Sequence, residues 1–140
     1  METPATPFRF ARLLTVQPDD IDELNHVNNV RYVQWVQDTA AAHWHAAAPP
    51  EAQQRYVWVV REHHIRYLYP ALLGEEIRCT TWVSSMEGVT SHRHVRIERA
   101  ADNKLLCEAE THWILLDPTT MRPQRIPLDM ARWVQEPVGL

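Results

Sequence analysis

Between Asp20 and Tyr32 the chain gathers two aspartates, Asp20 and Asp22, one histidine, His26, and three asparagines, Asn25, Asn28 and Asn29, at the approach to one helix. The helix is legible in Val33, Val36, Ala40 and Trp44, which recur at helical spacing while Arg31, Gln34, Gln37 and Asp38 lie mostly off that stripe. The first N–H groups of a helix lack intrahelical partners and carry partial positive charge, so they can stabilise a carbonyl oxygen on which negative charge develops. A neighbouring carboxylate would supply the base or nucleophile. Each residue also has a plainer use: Asp20 and Asp22 as loop acids near a helix N-terminus, His26 as a hydrogen-bonded structural group, Asn28 or Asn29 as a cap.

The elements that must position this cluster follow from period and punctuation. After a proline-bearing lead (Pro4, Pro7), Phe8 to Val16 reads as a strand ended by Pro18 and the turn Asp19-Asp20. The helix is expected from about Asn28 to Ala46 or Ala48, where Pro49-Pro50 cannot continue helical hydrogen bonding, and Glu51 to Arg55 reads as a short polar linker. Four runs rich in β-branched and aromatic residues then predict strands at Tyr56–Tyr69, Glu75–Met86, Val89–Arg99 and Leu105–Leu116. Alternation places Ile77, Cys79, Thr81 and Val83 on one face, and Leu105, Cys107, Ala109, Thr111, Trp113 and Leu115 on another. The breaks between these runs suit turns between antiparallel neighbours. A short helical turn is expected within Leu128–Gln135.

Composition limits the function classes. The 140 residues suit one domain, residues 1–140, and 45% hydrophobic with 23% charged residues is ordinary globular composition. Three glycines and the absence of GxGxxG or a P-loop argue against a phosphate-cradling loop, and a formal charge of −4 gives no reason to expect nucleic acid. Cys79 and Cys107 read as small buried hydrophobes in a reducing compartment. With no apparent leader and no long apolar run, the expected location is cytoplasmic, without a membrane partner.

The pattern Asp22-x-x-x-His26-Val27-Asn28-Asn29-x-x-Tyr32, followed by Trp35, resembles hotdog-fold acyl-CoA thioesterases of the 4-hydroxybenzoyl-CoA thioesterase type. The resemblance implies an α+β hotdog fold, a curled antiparallel sheet wrapped around one long central helix. It also implies a thioester hydrolase in which Asp22 attacks the thioester carbonyl or activates a water, the backbone N–H of Asn29, or else of Asn28, holds the oxyanion, and His26 orients groups. Thiolate leaves readily, so little acid assistance is needed. Plant acyl-carrier-protein thioesterases carry a similar His-Val-Asn-Asn run but have Asn where this chain has Leu24, so only Asp22 and His26 match their pattern. Many bacterial relatives have Gly where Asn25 stands, a mild exchange because asparagine tolerates left-handed backbone. The rival readings are an acyl-carrier-protein thioesterase, a non-catalytic acyl-CoA-binding hotdog protein and a hydratase.

Tyr32, Arg93 and Arg96 are the candidate substrate contacts, the arginines toward the phosphates of coenzyme A, with Arg61, Arg66 and Arg99 as further candidates. The alternative for these arginines is a solvated strand face paired with Glu98 or Glu62. His63-His64 and His92-x-His94 look like ligand pairs, but no third and fourth ligand stands evidently in register, so no metal is expected. No cofactor is expected either, coenzyme A being part of the substrate. Trp35, Trp44, Trp58, Trp82 and Trp113 read as core and interface, some lining an acyl pocket. Exposed edges of a small sheet predict a homodimer or a dimer of dimers, a homotetramer.

Overall fold

The computed structural model describes residues 6–138, so the lead proline Pro4 lies outside the described residues. Strand β1 (Phe10–Thr15) leads through a single 3-10 turn at Pro18–Asp20 into helix α1 (Asn29–Ala47). The short helix α2 (Pro50–Arg55) follows, then strands β2 (Val57–Tyr67), β3 (Glu76–Glu87), β4 (Thr90–Arg99) and β5 (Lys104–Leu116), and a last helix α3 (Met130–Gln135). The five strands form one antiparallel sheet in the order β1-β3-β4-β5-β2, so β1 and β2 are its edges. No helix among the described residues is long and apolar enough to cross a membrane.

The segment expected to be a linker is helical instead. Pro50 occupies the first turn of α2, where its missing N–H costs nothing and its fixed φ suits the helix, so the same proline pair that ends α1 starts α2. A second correction concerns β5. A bulge opposite Ile97 and Glu98 inserts Leu106, which becomes fully buried, while Leu105 moves off the inner face assigned to it by strict alternation.

Along α1 the buried stripe is Tyr32, Trp35, Val36, Thr39, Ala40, His43 and Trp44, slightly rotated from the expected one so that Val33 is only half-buried. Two apolar clusters lie between this helix and the sheet. One gathers Tyr32, Trp35, Val36, Ile77, Cys79, Val95, Ile97 and Leu106, the other Trp44, Ala48, Val83, Leu115, Met130 and Val134. Between them runs a layer of buried polar groups, Thr39, His43, Thr81 and Arg93. Cys79 and Cys107 are free and buried in the first cluster, as expected of small hydrophobes, and burial pushes their thiols up to about 11 and about 12. Both stay protonated at neutral pH.

Candidate active site

The segment Asp20–Asn28 doubles back on itself immediately before α1. Ile21 and Val27 form an antiparallel bridge, flanked by the Asp22 N–H donating to the His26 carbonyl (2.9 Å) and the Asn28 N–H donating to the Asp20 carbonyl (2.8 Å). At the tip, the Asn25 N–H donates to the Asp22 carbonyl (3.0 Å), and Asn25 adopts a φ of 63°. That left-handed conformation is one asparagine accepts at little cost, which is the physical reason asparagine serves here. The Asp22 carboxylate is thereby carried on a closed loop. Its Oδ1 accepts the Leu24 N–H at 2.9 Å, and Oδ2 is not drawn into that turn.

Asp20 is spent on architecture. Its carboxylate is nearly buried, accepts the Gln17 N–H at 2.8 Å and lies 3.4 Å from Arg31 Nε. His26 is exposed and gives its backbone carbonyl to the loop. Asn28 is the N-cap: its side-chain oxygen accepts the Val30 N–H at 2.9 Å, and its own N–H is committed to Asp20. Asn28 therefore does not offer the oxyanion donor considered for it. Asn29, the first residue of α1, keeps an N–H that neither the loop nor any other group among the described residues takes up. A carbonyl oxygen at that N–H would meet the positive end of a helix of 19 residues.

Tyr32 is turned into the core. Its side chain is buried against Trp35 and Tyr67, and its hydroxyl accepts the Ala71 N–H at 2.9 Å, while the Ala71 carbonyl accepts the Val27 N–H at 3.0 Å. Through Ala71 this tyrosine ties the Asp20–Asn28 loop to the turn before β3. Burial raises its pKa, so it stays a neutral phenol. Tyr32→Phe leaves the Ala71 N–H buried without an acceptor, and the expected cost is about 1–3 kcal/mol, read as a lower urea midpoint at unchanged slope.

Arg93 and Arg96 are three residues apart on one strand, so they point to opposite faces. Arg96 stands on the outer face, in a groove with His64, Arg66, His94, Glu108 and Glu110. Arg66 is paired there with Glu108 at 2.6 Å, rather than with Glu62 or Glu98. Arg93 points inward, where its Nη1 donates to His43 Nδ1 (2.9 Å) and Thr81 Oγ1 (3.0 Å). No carboxylate pairs with it among the described residues, and burial lowers its pKa to about 10, which leaves it charged at neutral pH. The two arginines assigned jointly to coenzyme A thus do not converge on one group. Sequence spacing already separates their faces, and the burial of Arg93 follows from the neighbouring His43 and Thr81, whose contact with it only the packed helix creates.

Arg93 lines an aromatic cavity of about 310 Å³ together with Ala40, Trp44, Tyr56, Trp58 and Trp113. Three of the five tryptophans read as core or pocket residues thus line one space, whereas Trp82 lies on the outer face beneath Arg9 and against His94. His43 and Thr39, the polar members of the helix stripe, escaped the sequence reading because polar residues at core positions carry no periodic signal. His63 and His64 diverge as adjacent strand residues must: His63 meets Thr111 (2.7 Å) inside, and His64 lies beside Glu62 outside. Of the third and fourth ligands not evident in register from the sequence, strand pairing supplies a third candidate, Glu110, directly opposite His94.

Residues 16–134 match the family described as the thioesterase-like superfamily. The chain is 33% identical over 85 residues to the acyl-CoA thioester hydrolase YbgC of Escherichia coli O6:H1, a match covering 61% of this chain. It spans about 63% of the length of the curated relatives it matches. Among solved structures, Slr0204, a 1,4-dihydroxy-2-naphthoyl-CoA thioesterase from Synechocystis, superposes with a TM-score of 0.80 at 14% identity, covering 92% of this chain and 97% of the other. SAV2348 from Staphylococcus aureus, solved in complex with CoA, gives a TM-score of 0.80 at 18% identity over 94% of this chain and 85% of the other. The observed sheet and long helix are those of the hotdog fold that these structures share.

Proposed function

The chain belongs to the thioesterase-like superfamily, and from that premise we propose that it hydrolyses acyl-CoA thioesters, as the 4-hydroxybenzoyl-CoA type does. The observation that carries the proposal is the Asn29 N–H at the head of α1, uncommitted among the described residues and directly following the closed loop that carries the Asp22 carboxylate. With the thioester carbonyl oxygen on that N–H, Asp22 either adds to the carbonyl carbon, expelling thiolate and leaving an anhydride that water opens, or takes a proton from the water that adds. Both routes consume one water and release acid and thiol. His26 borders the loop as an orienting group.

The acyl group belongs in the aromatic cavity, the described space lined chiefly by apolar and aromatic side chains with a single cation, Arg93. Ala40 and Trp44 lie eleven and fifteen residues after Asn29, about 17–22 Å along one helix, so a short acyl group cannot span both within one chain. A homodimer joined through the exposed edge strand β2 resolves this, because a two-fold axis there runs the two α1 helices in opposite directions and brings the loop of one copy toward the cavity of the other.

Thiol release should be followed over short, medium, long and aromatic acyl-CoAs, with the best acyl group repeated on acyl-carrier protein. Turnover of at least one acyl-CoA with kcat/KM on the order of 10⁴ M⁻¹s⁻¹ or more is the expected result. Tight binding without turnover would replace this reading with a non-catalytic acyl-CoA-binding protein. Preference for the carrier protein would move the substrate class, and a hydroxyacyl product would make the protein a hydratase.

A further inference from the structure

The outer face of the sheet carries a cluster that the thioesterase reading does not use. His92 and His94 share that face of β4, and pairing with β5 places Glu110 opposite His94 and His112 opposite His92. Glu110 Oε1 lies 3.7 Å from His92 Nε2 and 3.6 Å from His94 Nδ1, and all three ligand atoms fall within 4.8 Å of one another. A tetrahedral divalent ion with bonds of 2.0–2.1 Å holds its ligands about 3.3 Å apart. The two histidine–glutamate edges are a few tenths of an ångström wider than in a filled site, and the histidine–histidine edge, within 4.8 Å, closes by up to about 1.5 Å when an ion binds.

The hydrogen-bond arrangement points the same way. Ser84 Oγ lies 3.3 Å from the His92 carbonyl and 2.9 Å from His94 Nε2, so it anchors that nitrogen and leaves His94 Nδ1 turned toward Glu110. His94 Nδ1 faces the Glu110 carboxylate at 3.6 Å, beyond hydrogen-bond distance. His92 Nε2 is buried at the atom level with no hydrogen-bond partner among the described residues. Orphaned polar atoms of this kind are rare in folded proteins and call for a partner. Ser84 anchors His94 Nε2 at 2.9 Å, and Glu62 holds His112 Nδ1 at 2.9 Å beside the His92 ring, so both histidine rings are held from behind.

We propose that His92, His94 and Glu110 form a binding site for a divalent transition-metal ion of the zinc class, with water completing the coordination. Two imidazoles and one carboxylate suit such an ion, whereas magnesium and calcium prefer oxygen ligands throughout. Glu110 is half-exposed, so the ion has an entry path from solvent. Strand register holds the site together, with His-x-His on one strand clamped by a glutamate on the next. The site stands on the outer face of β4, whereas Arg93 and the aromatic cavity stand on its inner face, so it is independent of the acyl-CoA reaction.

The test is calorimetric titration of ZnCl₂ into the full chain, free of any affinity tag and stripped with a chelator. One ion per chain with a Kd on the order of 10 μM or tighter is expected, weakened about tenfold or more in His94→Gln and in Glu110→Gln and unchanged in His45→Gln. Cobalt substituted into the same site should show the visible absorption of a four-coordinate ion, which adventitious binding to scattered surface histidines would not give. A wild-type Kd weaker than about 100 μM, a stoichiometry other than one, or His94→Gln and Glu110→Gln chains that bind zinc as the wild type does would each overturn the site.

Discussion

Asp22→Asn is expected to lower kcat for acyl-CoA hydrolysis by about 10²- to 10⁴-fold while leaving KM and thermal stability nearly unchanged. The asparagine is the informative replacement. In the native loop Asp22 Oδ1 accepts the Leu24 N–H, and an asparagine oxygen can accept the same bond, so the turn survives while the charge and basicity are lost. Asp22→Ala removes both and mixes a folding effect with a chemical one. Measuring thiol release alongside the melting temperature and sedimentation of both variants separates the two. Turnover within a factor of about three of wild type in Asp22→Asn would exclude Asp22 as nucleophile or base. The contrast with Asp20 is equally specific, since its carboxylate is occupied by the Gln17 N–H and Arg31.

Acidification is expected to destabilise the fold by roughly 4–5 kcal/mol between pH 6.5 and 3 through His43 alone. His43 is fully buried between α1 and the sheet, stacked on Phe10, with Phe8 beside it and its Nδ1 accepting from Arg93. Burial first, and the Arg93 charge second, push its pKa down to about 3. The unfolded chain binds a proton at this residue below about 6.5, whereas the folded chain resists it until about 3. The contribution is therefore complete above pH 6.5, declines as pH falls, and is gone near pH 3. His63 and His94 are also depressed, chiefly by burial, and act with the same sign, so the wild-type profile alone does not isolate His43. The variant His43→Gln keeps an acceptor for Arg93 and cannot be protonated. Urea unfolding of this variant between pH 4 and 6 should show a slope shallower than wild type by about 1.4 kcal/mol per pH unit. Equal slopes would mean that His43 is protonated in the folded protein.

Much of the fold is legible in the chain because its signals are local. The doublet Pro49-Pro50 ends α1, period-two alternation marks β3 and β4, and the polar density from Asp20 to Asn29 announces a loop before a helix start. The readings that changed depended on what one residue meets across the fold. Leu106 is inward because a bulge against β4 shifts the alternation of β5, and a bulge is a property of two strands. Tyr32 acts as a strut because Ala71, far along the chain, presents an N–H to its hydroxyl. Arg93 parts from Arg96 because β4 turns it inward, where His43 and Thr81 hold it beside the aromatic cavity.

The opening cluster shows the same division. Residue type and spacing alone determined that a carboxylate and a row of amides stand at a helix N-terminus, since capping and periodicity act over a few residues. Only the tertiary structure decided how they are used, because each backbone N–H has one place to go. The Asn28 N–H goes to the Asp20 carbonyl, the Asn28 side chain to Val30, and the Asn29 N–H has no partner among the described residues. The histidine face follows the same rule: His92 and His94 are visible as a pair in the chain, and the Glu110 that turns them into a triad is supplied by strand register, which no local pattern encodes.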